Sequence, residues 1–265
     1  MILYKYMSLG GAEKVIENQS IGFSNLEDFN DPFEGQALLF NSKGGVPSGT
    51  KARAFQSILS RKHGVLSLTR NPINSLMWAH YADEHRGVVL GIDVNVAGLD
   101  CPETSLIPAS FGDIIYTSTH PRRSQVDDDF EALTRIGKDH SFSFENYSFY
   151  RDAFLYKDMS WSYEEEVRVV KNVEVDDLGS NRPHKYQNQS GSWLKTCIHG
   201  QRPLFCYSLP EASIVEVYLG CRARAKPEYD DFLKLTFESS PAAEVFDTYT
   251  DSGSWNLSYK LIPGI

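Results

Sequence analysis

The chain has 265 residues, 41% of them hydrophobic, which is enough apolar material for a sizeable buried core. Its formal net charge of −9 at pH 7 repels polyanions at long range and disfavours a scaffold for nucleic acid or anionic membranes. We expect one domain over residues 1–265, with an inserted helical segment at about residues 98–157.

The N-terminal third of the sequence combines short strand and helix patterns with turn-forming residues. Period-two alternation predicts strands, apolar residues three or four apart predict helices, and Asn, Asp, Gly and Pro mark turns. In chain order we predict a strand, a helix, a strand, a turn, a loop and a helix at residues 2–6, 9–18, 21–23, 25–35, 41–50 and 51–60.

The remaining sequence alternates further strands with helices. Strands are predicted at residues 64–69, 87–93, 113–117, 164–171, 206–210, 213–220, 243–249 and 255–262. Helices are predicted at residues 73–83, within 125–157 and at 228–235. Residues 176–196 are polar and turn-rich, and we expect a mobile excursion there. The alternation predicts an α+β fold.

The first dense motif is FNDPFEG at residues 29–35. Asn30, Asp31 and Pro32 favour a tight turn, because Asn and Asp side chains hydrogen-bond to the nearby backbone and proline fixes φ. One interpretation is a structural turn that anchors two strands. The other is a binding turn in which Asn30, Asp31 and Glu34 surround a ligand hydroxyl.

The second motif, MWAHYADEHRG at residues 77–87, is predicted to be helical. Helical spacing then places His80 and Glu84 on one face, and Trp78 and Tyr81 on another. His80 and His85 are five residues apart, which does not match the spacing of a metal-binding histidine pair. The aromatic residues either pack in the core or form a platform for a flat heterocycle such as nicotinamide or adenine.

The third motif, SWSYEEEVR at residues 160–168, gives the sharpest signal. On a strand, Glu164, Glu166 and Arg168 point to one side. The two carboxylates repel each other unless a cation or a ligand lies between them. Either Arg168 neutralises a solvated edge, or a carboxylate binds a ribose hydroxyl and stabilises positive charge developing at an anomeric carbon.

Other common sites lack sequence support. The chain has no Gly-x-Ser-x-Gly, no Gly-rich phosphate loop, no Gly-x-Gly-x-x-Gly and no His-Glu-x-x-His. Its four cysteines show neither zinc-ligand spacing nor a disulfide framework. No stretch approaches the length of a membrane span and no apolar leader is evident. We therefore expect a cytoplasmic protein with no membrane contact.

The order of these motifs resembles domain-of-unknown-function family 2971, a group of bacterial and phage-associated proteins. The resemblance rests on LYKY, IGFSNLEDFNDPFEG, GVLSLTRNP, MWAHYADEHRGVVLGID, SWSYEEEVRVV and IVEVYLG. It covers most of the chain except residues 98 to about 149 and the polar excursion. The family name itself implies little about chemistry.

The chain also resembles, more distantly, the ADP-ribosyltransferase fold. That resemblance implies mixed, mostly antiparallel sheets forming a central cleft flanked by helices, with an NAD contact on the first strand, aromatic stacking in the middle and a catalytic glutamate on a late strand. The corresponding residues follow in that order: Tyr4 or Tyr6, then Trp78, His80 and Tyr81, then Glu164 and Glu166. The chain departs from the fold in having no arginine or histidine on the first strand and no Ser-Thr-Ser motif.

Our first hypothesis is an NAD-dependent ADP-ribosyltransferase or NAD glycohydrolase, acting as a toxin or anti-phage effector on a macromolecular acceptor. NAD is then the substrate and no metal is needed. Glu166 stabilises the oxocarbenium-like state, Glu164 orients the acceptor, and Arg168 holds a phosphate or the glutamates. The leaving ring is stacked by Trp78 and Tyr81. Ribose or phosphate is positioned by Tyr6, Asn30, Asp31 and His80.

Two alternatives from other classes remain open. One is a non-catalytic sensor module whose groove binds a nucleotide or a partner protein through the glutamates. The other is a nuclease-like effector in which a divalent metal is bound by the carboxylates of Asp31, Glu34, Glu164 and Glu166.

Overall fold

The computed structural model describes residues 1–35, 38–40, 56–119, 124–126, 138–173, 193–199 and 202–263. Its helices are α1 (Leu9–Asn18), α2 (Ser75–Tyr81), α3 (Phe144–Phe154) and α4 (Tyr229–Ser239), and residues 56–62 are also helical. Short 3-10 helices span Leu26–Asp28, Ala109–Phe111, Met159–Glu164, Glu211–Ser213 and Ala223–Ala225.

The strands follow the alternating segments of the sequence. The N-terminal strands are β1 (Ile2–Met7), β2 (Ser20–Ser24), β3 (Leu38–Phe40), β4 (His63–Thr69) and β5 (Val88–Asp93). The middle strands are β6 (Ile115–Thr117), β7 (Ser124–Val126), β8 (Tyr156–Asp158) and β9 (Glu166–Asn172). The C-terminal strands are β10 (Trp193–His199), β11 (Arg202–Ser208), β12 (Ile214–Leu219), β13 (Glu244–Thr250) and β14 (Leu257–Leu261).

Ten strands form one large sheet in the order β10-β11-β2-β4-β1-β5-β12-β13-β14, with β9 paired to β4. Within this sheet the β12–β13 pair is parallel and the other strand pairs are antiparallel. Two short parallel pairs, β3–β7 and β6–β8, lie outside it. The predicted combination of helices with a mixed, mostly antiparallel sheet is therefore confirmed.

The sheet branches at strand β4, which pairs with the three strands β1, β2 and β9. One edge of β4 pairs along its whole length with β9, from His63↔Asn172 to Thr69↔Glu166. The other edge makes one register pair with β2 and one with β1, the latter at Tyr4↔Thr69. The two strands β1 and β4 therefore meet only at one point and diverge beyond it. Side chains from both strands and from the start of β9 converge at this divergence.

Three hydrophobic clusters support the sheet. The largest packs α1 and α4 against apolar residues such as Leu3, Leu90 and Val217. A second joins α3 and the segment around Ile107 to Val170 of β9. The third packs α2 onto the other face of β1, β5 and β12. The first and third clusters thus cover opposite faces of the same strands, which fixes the position of α2 beside the divergence.

Helix α2 is shorter than the predicted helix at 73–83. It begins after Asn74, whose side chain accepts hydrogen bonds from the backbone amides of Leu76 and Met77. It ends at Tyr81, and the backbone of Asp83, Glu84 and His85 has positive φ. The prediction that His80 and Glu84 share a helical face was wrong, because Glu84 lies in this left-handed turn.

The predicted strand at 164–171 begins later than expected. Glu165 has a φ of 45°, which interrupts the extended backbone, so β9 starts at Glu166 and Glu164 closes a 3-10 helix. The prediction that Glu164, Glu166 and Arg168 alternate along a single strand was therefore wrong for Glu164. Hydrogen bonds across the turn nevertheless keep Glu164 close to the strand.

Other predicted segments have mixed outcomes. The described part of the predicted insertion at 98–157 contains helix α3, but also the strands β6, β7 and β8. The predicted loop at 41–50 lies outside the described residues, and so do residues 51–55 of the predicted helix. Residues 174–192 also lie outside them, while 193–196 of the predicted excursion belong to β10. In the described part of the chain, no helix has the length and apolar character needed to cross a membrane.

Candidate functional site

A cavity of about 440 Å³ lies where β1 and β4 diverge. Its walls come from β1, β4, α2 and the FNDPFEG turn. Its charged floor comes from β8, the 3-10 helix Met159–Glu164 and β9. The lining residues are Tyr4, Lys5, Tyr6, Phe29, Asn30, Ser67, Leu68, Thr69, Met77, His80, Tyr81, Lys157, Glu164 and Glu166. All three motifs singled out in the sequence therefore contribute side chains to one cavity.

Lys157 is the cation that lies between the two glutamates. Its Nζ is 2.5 Å from Oε2 of Glu164 and 3.0 Å from Oε2 of Glu166. The side chains of the three residues are 2–5% exposed, so the contacts are shielded from water. Burial by itself would lower the pKa of Lys157, but Glu166 and Glu164 raise it above its ordinary value. The lysine therefore stays protonated and permits the carboxylates to lie close together.

Arg168 is the second cation that fixes Glu166. Its Nε donates to Oε1 of Glu166 at 2.8 Å, and its two Nη atoms form a bidentate contact with the carboxylate of Glu34 at 2.8 and 2.5 Å. The guanidinium also donates to the backbone carbonyl of Phe154 and lies over the ring of Phe29. The Arg168 side chain is fully buried. Its role is to hold the glutamates, as one of the two sequence interpretations proposed.

These contacts determine the charge of the floor. Burial would raise the pKa of Glu166, yet Arg168 and Lys157 lower it to about 2, helped by a hydrogen bond from the Ser67 hydroxyl. Burial lowers the pKa of Lys5, although Glu166 and Glu164 act against that shift. The Nζ of Lys5 donates to the carbonyl oxygen of Ser67 at 2.8 Å, across the gap between β1 and β4. The floor thus presents the ionised carboxylate of Glu166 near Lys5, whose charged form is disfavoured by burial.

Tyr81 connects the floor to the FNDPFEG turn. Its hydroxyl donates to Oε1 of Glu164 at 2.5 Å and accepts from Nδ2 of Asn30 at 3.0 Å. Burial and the hydrogen bond to Glu164 raise the pKa of Tyr81, so the hydroxyl stays protonated. The hydroxyl of Thr69 donates to the backbone carbonyl of Glu164 at 2.6 Å. These contacts position Glu164 at the cavity although it lies outside β9.

Tyr6 ties β1 to the start of α2. Its hydroxyl donates to the carbonyl oxygen of Asn71 at 2.8 Å and accepts from the backbone amide of Asn74 at 3.1 Å. The side chain of Asn74 also donates to the carbonyl oxygen of Tyr163, just before Glu164. Since the Tyr6 hydroxyl is occupied by backbone partners, the ring is the part of this residue that faces the cavity.

Three predicted binding residues do not line the cavity: Trp78, Asp31 and Arg168. Trp78 is fully buried, its indole nitrogen donates to the carbonyl oxygen of Pro72, and its ring packs edge-on against Tyr6. Its predicted stacking on a ligand is therefore not supported by the structure; the core-packing interpretation applies. Asp31 is buried and accepts a hydrogen bond from the backbone amide of Phe33, as expected of a structural turn.

Asp31 instead lines a neighbouring cavity of about 250 Å³, together with Glu34. Phe29 borders both cavities. The phosphate-binding interpretation of Arg168 also fails, because its donors are already used by Glu34, Glu166 and Phe154. The remaining predicted residues line the main cavity: Tyr4, Tyr6, Asn30, His80, Tyr81, Glu164 and Glu166.

Two important residues were missed in the sequence. Lys157 was included only in a predicted helical stretch, although the repulsion between two close glutamates already required a cation beside them. Lys5 was not predicted as a site residue, because on its strand only the neighbouring aromatic residues Tyr4 and Tyr6 were considered. A basic residue within a strand whose flanks are otherwise apolar or aromatic is the signal that identifies Lys5.

The carboxylates do not fit a metal centre. Glu34, Glu164 and Glu166 are each ion-paired to Lys157 or Arg168, which occupy the positions where a cation would bind. Asp31 is used by the turn. Among the described residues, no group of three or more His, Cys, Asp or Glu side chains is arranged to hold a metal ion. The arrangement therefore does not favour the nuclease alternative.

Comparison with protein-family models gives a match over part of the chain. Residues 77–169 match the model of a family described as "Protein of unknown function (DUF2971)". The match runs from the MWAHYADEHRG motif into SWSYEEEVRVV and confirms the predicted resemblance over that stretch. It includes residues 98–149, which the motif comparison left out, and it does not extend to the N-terminal motifs. No significant match was found among curated proteins or solved structures.

Proposed function

We propose that the chain cleaves the nicotinamide–ribose bond of NAD and that the cavity between β1 and β4 is the NAD site. The observation that most supports this is a pair of buried carboxylates on the floor of an aromatic-walled cavity. Glu166 is kept ionised by Lys157 and Arg168, and Glu164 lies beside it. A fixed negative charge in a shielded site favours a transition state in which an anomeric carbon becomes positive.

The placement of the walls supports an ADP-ribosyltransferase-like arrangement. Side chains of the first strand, of α2 and of the late strand β9 line the same cavity, in the order that the resemblance implies. Lys5 supplies a basic group on the first strand, where neither arginine nor histidine is present. Ser67 and Thr69 lie on β4 beside Glu166, with Thr69 as its register partner, and supply hydroxyls in place of the missing Ser-Thr-Ser motif.

The two glutamates differ in how many hydrogen bonds they already accept, which indicates different roles. A carboxylate accepts about four hydrogen bonds. Glu166 receives its bonds from two nitrogens of Arg168, from Lys157 and from Ser67. In the described part of the chain, Glu164 receives side-chain bonds from Tyr81 and Lys157. We infer that Glu164 contacts the ligand and that Glu166 fixes Lys157, which reverses the roles expected from the sequence.

The reaction requires little covalent participation by the protein. The C–N bond between ribose and nicotinamide breaks, and its electron pair leaves with the nicotinamide ring. Water or an acceptor then forms the new bond to the anomeric carbon and loses a proton. Glu164 would accept a hydrogen bond from a ribose hydroxyl and stabilise the developing positive charge, while the rings of Tyr81, Tyr6 and Phe29 line the space for the leaving heterocycle.

The test is to titrate the purified chain with NAD and to measure nicotinamide release. We expect binding and release, with Glu164→Gln lowering the rate by about a hundredfold or more. Glu165→Gln is the matched control, because Glu165 lies between the two glutamates but is exposed and contacts Asn71. The proposal fails if NAD does not bind, or if the Glu164 and Glu165 variants release nicotinamide equally fast.

One observation favours a second candidate, a nucleotide-binding module without turnover. Lys157 lies within 3.0 Å of both carboxylates and already neutralises part of their charge, which weakens their effect on a developing cation. Such a module would bind NAD or a related nucleotide and release no nicotinamide. Glu164→Gln would then weaken binding, and the same titration separates the two candidates.

A further inference from the structure

Lys5 and Lys157 both line the main cavity, but their direct contacts differ. The Nζ of Lys157 lies within 3.0 Å of the carboxylates of Glu164 and Glu166. The Nζ of Lys5 instead donates to the backbone carbonyl oxygen of Ser67 at 2.8 Å, and among the described residues Lys5 forms no ion pair. Lys157 is thus held in its charged form by direct contact with carboxylates, whereas the hydrogen-bond partner of Lys5 is a neutral oxygen.

The position of Lys5 on β1 explains why burial acts strongly on it. Residues two apart on a strand share a face, so Lys5 projects on the same side as Leu3 and Met7, which belong to the largest hydrophobic cluster or pack against it. The register partner of Lys5 on β5 is Leu90, a fully buried member of that cluster. Lys5 therefore lies on the apolar side of its strand, at the point where the divergence of β1 and β4 opens the cavity.

These surroundings favour the neutral amine of Lys5. Burial lowers the pKa of Lys5, and the charges of Glu166 and Glu164 oppose that shift without cancelling it. A neutral amine has a free electron pair and is a nucleophile, and desolvation is a usual way to activate a lysine toward carbonyl compounds. The pKa of Lys157 is shifted in the opposite direction, so of these two lysines Lys5 is the nucleophile.

The rest of the cavity suits a ligand that carries several hydroxyl groups. Polar groups on its lining include the carboxylate of Glu164, the amide of Asn30 and the hydroxyls of Ser67 and Thr69. Such groups donate to and accept from sugar hydroxyls, and a volume of about 440 Å³ is typical of a site for a small molecule. An open-chain aldose combines these hydroxyls with an aldehyde carbon, which is the electrophile that a lysine amine attacks.

We propose that Lys5 forms an imine with the aldehyde carbon of an open-chain aldose bound in the cavity. The amine nitrogen forms a bond to the carbonyl carbon, the electron pair of the C=O π bond moves to oxygen, and one proton passes from nitrogen to that oxygen. The resulting hydroxyl group takes up the second proton of the nitrogen and leaves as water, and a C=N bond forms. One amine and one aldehyde thus give one imine and one water, and no oxidant, reductant or metal is required.

The proposed function supplies such an aldose. When water accepts the ribose, cleavage of NAD leaves a hydroxyl group on the anomeric carbon, and opening of that ring produces an aldehyde at the same carbon. Lys5 then retains the ADP-ribose product in the cavity until the imine is hydrolysed. This identification of the aldose rests on the proposed function, whereas the imine itself does not.

The test traps the imine on the full chain with D-ribose 5-phosphate and sodium cyanoborohydride, which reduces the C=N bond to a stable amine. Peptide mass spectrometry then measures the modified fraction of each lysine over time. We expect Lys5 to be labelled about tenfold faster or more than Lys157 in the same cavity and than Lys14, which is exposed on α1. Both comparisons are made in the unmodified chain, so they do not depend on the folding of a variant.

Two variants and a second sugar phosphate serve as controls. Lys5→Arg keeps the positive charge and removes the nucleophile, so the fast labelling should disappear. Lys14→Arg is the matched change at an exposed position and should leave the labelling of Lys5 unchanged. Ribitol 5-phosphate has the hydroxyls and the phosphate but no carbonyl group, so it should form no adduct and should slow the labelling of Lys5 by competition.

The proposal is overturned if Lys14 or Lys157 is labelled as fast as Lys5, or if ribitol 5-phosphate does not slow the labelling of Lys5. Incubation with NAD in place of ribose 5-phosphate tests the product separately, with nicotinamide release measured in parallel. If ribose 5-phosphate labels Lys5 but no nicotinamide is released, the imine site is retained and its assignment to ADP-ribose is lost. If nicotinamide is released but Lys5 stays unlabelled, the proposed function is retained and the imine is excluded.

Discussion

Both ends of strand β9 are buried, but the basic residues at the two ends have different partners and opposite pKa shifts. At the cavity end, Lys157 and Arg168 face carboxylates, and the pKa values of both cations are raised against the effect of burial. At the other end, the Nζ of Lys171 donates to neutral oxygens of Gly98, Thr104 and Ser105, and burial lowers the pKa of Lys171 to about 8.

The second titratable group at that far end is His63, the register partner of Asn172. Its Nδ1 lies 2.7 Å from the carbonyl oxygen of Leu59, and the rings of Tyr150 and Phe154 pack against it. Burial lowers the pKa of His63 to about 4. At the far end burial therefore shifts both groups toward their neutral forms, whereas the cavity end maintains full charges, which cost free energy to bury and are expected where a ligand is recognised.

The largest expected effect on stability comes from removing Arg168, one of the two buried cations at the cavity end. Arg168→Met leaves the buried carboxylates of Glu34 and Glu166 with Lys157, at 3.9 and 3.0 Å, as the partner they share, and we expect the free energy of unfolding to fall by about 3–5 kcal/mol. Urea unfolding measures this loss. Arg70→Met is the control, because Arg70 pairs with Asp113 while their side chains are 44% and 66% exposed, and such pairs contribute about 0–1 kcal/mol.

A double variant makes this prediction specific to charge. Arg168→Met combined with Glu34→Gln removes one of the two carboxylates that lose Arg168 and should recover part of the lost stability. If the double variant is no more stable than Arg168→Met, or if Arg70→Met costs as much, then packing volume rather than charge compensation distinguishes the cavity end.

The next prediction concerns the pH dependence of the far end. The unfolded His63 imidazole titrates near 6.5 and the folded one near 4, so between these values the unfolded state binds more protons. The stabilisation is complete above pH 6.5 and is lost as the pH falls toward 4. Since one pKa unit corresponds to about 1.4 kcal/mol, the loss is on the order of 3 kcal/mol.

Unfolding free energies measured from pH 7 to pH 4 test this slope. His63→Phe should flatten it, because phenylalanine keeps an aromatic ring and does not titrate. At the cavity end, Glu166 has a folded pKa of about 2 against an ordinary value of 4.5, so its stabilisation is present above pH 4.5 and is lost only below that. If the unfolding free energy of His63→Phe depends on pH as strongly as that of the unmodified chain, then burial of His63 is not the cause of this pH dependence.

Local patterns predicted much of this architecture, and long-range contacts account for what they missed. Alternation located β1 and an unbroken apolar run located β5, and strands were also predicted where β4 and β9 lie. Lys157 could not be placed, since β8 has three residues and its register with β6 depends on distant parts of the chain. The left-handed backbone at Glu165 is also not encoded by any periodicity, and it moved Glu164 off the strand.

The contrast between local patterns and long-range contacts also explains where the aromatic residues of the second motif lie. Helical spacing predicted Trp78 and Tyr81 on one face, both available to a ligand, but only Tyr81 lines the cavity. Trp78 is buried against Tyr6, and Tyr81 reaches Glu164 and Asn30. Which face is buried depends on how α2 packs against the sheet, and this follows from the caps and hydrogen bonds of Asn74 with Tyr6 and Tyr163.

The smallest predicted effect compares two tyrosine hydroxyls with different acceptors. Tyr81 donates to the carboxylate of Glu164, whereas Tyr147 donates to the backbone carbonyl of Phe111 at 2.9 Å. Hydrogen bonds to charged groups contribute about 1.5–3 kcal/mol and neutral ones about 1 kcal/mol. We expect Tyr81→Phe to lower the free energy of unfolding by about 2 kcal/mol and Tyr147→Phe by about 1 kcal/mol.

A double-mutant cycle then tests whether the charge of Glu164 causes the difference. In the Glu164→Gln background, Tyr81→Phe should cost no more than Tyr147→Phe does in the unmodified chain, because its acceptor is then neutral. Equal losses for the two tyrosines in the unmodified chain would contradict the charged-acceptor account. Since Tyr81 also lines the cavity, NAD binding by Tyr81→Phe should weaken together with its stability, whereas Tyr147→Phe should bind NAD normally.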